Sequence, residues 1–169
     1  TLCTNHIFLF GNEEQKKRFL SPLVKGEEIG AWALTEPSSG SDAGSMKTTA
    51  KHSGKEWILN GQKLFTTNGS LANTFVIMAK TDESRGSKGI SAFIVKKENG
   101  GLKIGKKLNK LGLRGSDTLE IFLDNLSVPQ ENLIGEENKG FNQTMKILDS
   151  GRIGISTMAI GIARASLEA

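Results

Sequence analysis

The spacing of hydrophobic positions changes twice along the chain. Up to residue 28 apolar side chains cluster as on helices: Ile7, Phe8, Leu9 and Phe10 close one segment, and Phe19 and Leu20 mark the buried face of the next. Asn12 precedes Glu13, Glu14 and Gln15. That order predicts a capping box, with the acidic pair at the positive end of the helix dipole. Ser21-Pro22 reads as a second helix start and Gly26 as its end, giving two short helices in tandem over 13–25. From Ile29 the apolar runs shorten and turn residues separate them, which predicts strands at 29–35, 47–52, 55–59, 62–67, 74–80, 89–96 and 117–123. Asn60-Gly61 between two runs predicts a type I′ hairpin; Ser53-Gly54 and Asn99-Gly100-Gly101 predict further turns. Ile90 to Val95 is apolar at both parities and predicts a central strand. After Gly140 helical spacing returns through Phe141, Met145, Leu148, Ile153, Ile155 and Ile160. Helices flanking a run of short strands predict an α+β chain whose middle is an antiparallel barrel or sandwich.

Composition narrows this picture without redirecting it. The chain has 169 residues, 20 of them glycine, as a fold rich in tight turns requires. A net charge of +4 is spread along the sequence. It suits an anionic nucleotide or coenzyme A better than nucleic acid, which calls for a clustered basic face. The single cysteine, Cys3, excludes an internal disulfide and fits a reducing compartment. No apolar run reaches transmembrane length, and no cluster with metal-ligand spacing is present. The chain begins and stops inside apolar helical patterns and reads as a fragment of a longer protein.

Three stretches carry candidate chemistry. Ala31 to Gly44 starts as an apolar strand, breaks at Pro37, and continues through Ser38, Ser39, Gly40, Ser41 and Gly44. It reads either as a flexible Gly/Ser loop or as a neutral anion cradle of hydroxyls and backbone N–H groups, its glycines allowing positive φ or close approach. No P-loop lysine and no G-x-G-x-x-G pattern accompany it. Leu102 to Arg114 spaces basic residues between apolar ones, a solvated face or one turned to another domain or an anion. Asp149 and Arg152 stand three apart, as a surface ion pair would.

Five blocks in order resemble the acyl-CoA dehydrogenase family. Leu34-Thr35-Glu36-Pro37 with Gly40-Ser41-Asp42 resembles its TEP-x-x-GSD signature. Leu59-Asn60-Gly61-Gln62-Lys63 with Phe65-Thr66-Thr67-Asn68 resembles the LNG-x-K block. Lys88 to Val95, Lys110 to Ser116 and Leu148 to Ile155 resemble KGISAFLV, KLG-x-R-x-S and LD-x-GRIGIA.

The resemblance implies a layout: residues 1–28 end an N-terminal helical domain, 29–136 form the middle β domain, and 137–169 open a C-terminal helical domain. It implies FAD as cofactor, with Trp32, Leu34, Thr35, Gly40 and Ser41 on one side and Phe65, Thr66 and Thr67 on the other. Thr67 matches the threonine that bonds the flavin N5 edge, and Phe65 stands where the family often has Trp. Ser41, Ser87, Asp149 and Arg152 match positions that meet the acyl-CoA substrate. The implied reaction is α,β-dehydrogenation of an acyl-CoA thioester, with a carboxylate removing the α-proton. Most members place that glutamate in the C-terminal domain, and a few just before the helix arginine. Here that second position is Gly151, so the base is expected downstream of Ala169. The resemblance also implies an electron-transferring flavoprotein as partner, a homotetramer in the full-length protein, and a bacterial cytoplasm or mitochondrial matrix. The alternatives are an inert folded β module of such an enzyme, or an acyl-CoA oxidase.

Overall fold

The structure, a computed structural model, describes residues 2–169. It opens with helix α1 (Leu2–Phe10), the helical segment expected over 1–10; residue 1 lies outside the described residues. The capping box at Asn12 is present: its side chain accepts from Gln15 N at 2.8 Å, and the Gln15 side chain accepts from Asn12 N at 3.1 Å. The helical path from Glu13 to Lys25 is continuous. Helix α2 (Glu13–Gln15) runs through a π turn (Lys16–Leu20) into α3 (Ser21–Lys25), which ends at Gly26 with φ 75°. Ser21 therefore caps nothing. It has helical φ and ψ, and Pro22 is tolerated because the π turn has already displaced the local hydrogen bonds.

Seven strands form one strongly curled sheet: β1 (Gly30–Ala33), β2 (Thr49–Ser53), β3 (Glu56–Thr67), β4 (Thr74–Lys80), β5 (Ile90–Lys96), β6 (Leu102–Lys107) and β7 (Thr118–Pro129). Their order is β1-β4-β2-β3-β7-β6, with β5 also paired to β4. The fold is thus the expected α+β arrangement around a half-barrel. Most pairs are antiparallel, but β1 runs parallel to β4, and so does β2 at Thr49↔Lys80. Three expectations change. Strand β6, absent from the expected strands, lies in the stretch read as a basic face; Lys103, Lys106 and Lys107 are exposed, as a solvated face requires, on a strand paired to β7. Strand β5 is buried on both faces, yet its one strand neighbour is β4, among the described residues, with an isolated bridge from Phe93 to Leu133; helices cover its outer face. Asn60-Gly61 makes no hairpin. β3 continues through it, with a register shift against β7 between Leu59 and Gly61; its hairpin partner is β2, across the Gly54 turn, and its other neighbour is β7. Gly61 is there for space: a Cβ would lie 2.4 Å from Thr48 Oγ1.

Two cores share β4 and β5. Inside the curl, Trp57, Leu59, Phe75, Ile77, Phe93, Ile121 and Val128 are buried. On the outer face, Val76, Met78 and Ile94 meet Cys3 and Ile7 of α1, Phe19 and Ile134. The last helix, α4 (Gly140–Glu168), docks through Gly140, Gln143, Thr144 and Ile147. Gly140 presses on Ser91 of β5, where a Cβ would meet backbone at 2.5 Å. Gly151 packs against Leu2, a second close approach on this helix; Gly154 and Gly161 face open space. From Arg152 onward α4 is exposed on every side.

Candidate functional site

The site is a cleft of about 1290 Å³ between α1, the end of β1, the end of β3 and α4. Two strand ends form its floor, and a buried ion pair joins them. Leu64 N donates to Thr35 O at 2.7 Å. Lys63, fully buried, donates from Nζ to Leu34 O at 3.2 Å and to Glu36 Oε1 at 2.7 Å. Glu36 also accepts from the backbone N–H groups of Lys47 and Thr48. Burial raises the cost of both charges. It pushes the Lys63 ammonium down to about 8 against the attraction of Glu36, while Lys63 and the two N–H donors outweigh burial and hold the Glu36 carboxyl below its usual range. The pair fixes the TEP segment to β3.

β3 then changes conformation. Its pairing with β7 shifts register between Lys63 and Thr66, and Phe65 sits in this bulge at φ 53°. Positive φ at a bulky residue is strained. It is over-determined here by the Lys63 anchor below and the Thr66–Leu119 pair above. The bulge turns the Phe65 ring outward, 59% exposed, with Thr67 exposed beside it.

The cleft brings together Trp32, Leu34, Thr35, Phe65, Thr67 and Arg152 of the residues singled out in the sequence. Arg152 is the one charged side chain lining it, and no carboxylate lines it, among the described residues. Thr66 points the other way, into the core, with its hydroxyl unpartnered. Gly40 and Ser41 lie on an exposed turn outside the cleft. That turn is closed by its own hydrogen bonds: Glu36 N donates to Ser39 O at 2.9 Å, Ser39 N to Glu36 O at 3.2 Å, and Ser39 Oγ to Asp42 O at 2.8 Å. Neither Gly40 nor Gly44 has positive φ. The close approach is made by Gly44, where a Cβ would stand 3.0 Å from Ser87 Cβ and 3.9 Å from Phe141. Ser87 therefore flanks the Ser41 turn at the start of α4. Asp149 pairs with Arg152 on the helix surface, both side chains 70% exposed.

Two groups escaped the sequence reading. Lys63 shares strand parity with Trp57 and Leu59, a signal that it faces inward. His6 had none: a lone histidine in a helix tail. It is fully buried, accepting from Trp32 Nε1 at Nδ1 (3.1 Å), with Nε2 3.0 Å from Gln143 Oε1.

This geometry belongs with a known family. The family model for the acyl-CoA dehydrogenase middle domain matches residues 31–126, and the chain belongs to the acyl-CoA dehydrogenase family. It is 51% identical over 168 residues to the short-chain-specific acyl-CoA dehydrogenase of Clostridium acetobutylicum, covering 99% of this chain and 44% of that protein. It is 46% identical, over 99% of its own length and 44% of the other's, to the caffeyl-CoA reductase-Etf complex subunit CarC of Acetobacterium woodii. The solved butyryl-CoA dehydrogenase of Megasphaera elsdenii superposes with a TM-score of 0.95 at 46% identity, over 97% of this chain and 43% of that one. The chain thus spans less than half the length of these relatives.

Proposed function

We propose that the chain is the FAD- and substrate-binding core of an enzyme that dehydrogenates acyl-CoA thioesters to trans-2-enoyl-CoA and passes electrons to an electron-transferring flavoprotein. The observation that carries this reading is the cleft floor, where Trp32, Leu34 and Thr35 face Phe65 and Thr67 across strands locked by Lys63 and Glu36. A planar, amphipathic ring fits such a surface: aromatic and aliphatic faces to stack on, and hydroxyls at its edge. When bound, FAD supplies a hydride acceptor. The chain's own residues hold and orient. Phe65 and Trp32 give apolar area, and the Thr67 hydroxyl serves the ring edge. The Ser41 turn with Ser87 and the cation of Arg152, steered by Asp149, receive the anionic coenzyme A portion.

In this reading residues 1–28, 29–136 and 137–169 belong to three domains of a longer, tetrameric protein of the bacterial cytoplasm or mitochondrial matrix. The carboxylate base comes from beyond residue 169. No helix among the described residues is long and apolar enough to cross a membrane. The caffeyl-CoA reductase relative supports a second direction, reduction of a 2-enoyl-CoA by the same residues. Mixing the FAD-loaded full-length protein with butyryl-CoA tests the proposal. It predicts bleaching of the flavin absorbance, and Thr67→Ala slows that bleaching more than it weakens FAD binding. A protein that stays colourless with FAD contradicts it. Bleaching by the 169-residue chain alone removes the claim of an external base.

A further inference from the structure

His6 is buried where the proposed chemistry does not use it. It projects from α1 between β1 and α4, and both ring nitrogens are engaged. An indole N–H can only donate, so the 3.1 Å contact from Trp32 Nε1 makes His6 Nδ1 an acceptor. His6 Nε2–H then donates to Gln143 Oε1. The Gln143 amide is oriented for this, because its Nε2 donates to Ile134 O at 3.0 Å. Phe10 closes the imidazole edge-on, ring centroids 5.6 Å apart. The chain Ile134 O, Gln143, His6, Trp32 therefore runs from the β7–α4 connection to the floor of the cleft, every member paired.

We infer that His6 is a positioning residue: in its neutral Nε2–H form it fixes the Trp32 indole as a wall of the cleft and couples that wall to the docking of α4. Burial favours the same neutral form, holding the imidazole down at about 4. Trp32 is only half-buried and its strand is four residues long. Strand pairing fixes its backbone, and the bond to His6 selects among its side-chain rotamers. The consequence for FAD rests on the function proposed above; the positioning itself does not.

The two amides that mimic histidine separate the roles. Asn places its oxygen where Nδ1 stands and keeps the acceptor for Trp32. Gln reaches the Nε2 position, keeps the contact to Gln143 and leaves Trp32 unpartnered. In protein carrying 5-fluorotryptophan, the Trp32 resonance is assigned by its loss in Trp32→Phe. His6→Gln is expected to move and broaden that resonance, and His6→Asn to restore it. The FAD dissociation constant should rise on the order of tenfold in His6→Gln, as loss of one buried hydrogen bond implies, and recover in His6→Asn. A Trp32 resonance unchanged in His6→Gln, or displaced equally by both variants, overturns the inference. If neither variant folds, the unsubstituted protein decides it: slow hydrogen exchange at the Trp32 indole N–H supports the bond, and exchange as fast as in an unfolded chain contradicts it. If FAD does not bind at all, the functional reading fails and the fluorine result still stands.

Discussion

Strands β4 and β3 belong to one sheet and are built on opposite terms. β4 pairs with β5 without a break from Thr74↔Lys96 to Lys80↔Ile90, and every residue but Lys80 is buried. β3 breaks register with β7 twice, buries an ammonium at Lys63, and puts Phe65 at positive φ. Regularity marks the strand that only packs. Departures mark the strand that must present side chains to a cleft and be held rigid while doing so.

The largest effects should come from the two ways of breaking these strands. Phe75→Ala in β4 empties a fully buried site and should cost about 3–5 kcal/mol in urea unfolding. Lys63→Met in β3 should cost about as much, ~3–5 kcal/mol, for a different reason: it leaves the Glu36 carboxylate buried and unpaired. The contrast is in the rescue. Adding Glu36→Gln to Lys63→Met should recover most of that loss, whereas nothing polar repairs the Phe75 cavity. If Lys63→Met is as mild as a surface change, the ion pair is not what joins the cleft walls.

The acid side gives the next effect. His6 drops from an ordinary 6.5 to about 4, chiefly through burial, with the Gln143 bond opposing. Between those values the unfolded chain binds the extra proton and the folded one does not. Stability should therefore fall as pH drops from 6.5 toward 4, by up to about 3 kcal/mol, and should stay flatter in His6→Asn. An unfolding free energy with the same pH slope in both proteins would place the titration elsewhere.

Much of this was legible in the residues. Short apolar runs bounded by turns located most strands, and the capping box that the order Asn12 to Gln15 predicts is present. The failures share a cause: a local pattern was satisfied by a distant partner. Asn60-Gly61 carries hairpin chemistry, but Thr48 needed the space beside Gly61 and β7 needed a long partner. The lysines of β6 are the solvated face their spacing suggests, but alternation with half-buried Leu102 and Ile104 is too weak to mark a strand, and only pairing with β7 makes one. In the site, strict parity with Lys63 would turn Phe65 and Thr67 inward, and only the bulge between Lys63 and Thr66 turns them out. The Lys63–Glu36 pair joins residues 27 positions apart, and His6 with Gln143 joins residues 137 apart. No local spacing encodes either one.

The smallest change in stability carries the most direct test. Phe65→Gly relieves positive φ at a ring that is mostly exposed, so it should leave the fold unharmed or stabilise it by about 1 kcal/mol. If β3 is bent in order to present that ring to the flavin, the same substitution must weaken binding. FAD titration of the two proteins, followed by flavin absorbance, should show a dissociation constant at least about tenfold higher in Phe65→Gly, the share of a stacked aromatic. Equal affinity in a variant that is no less stable would contradict the claim that the strained strand forms the cofactor's wall.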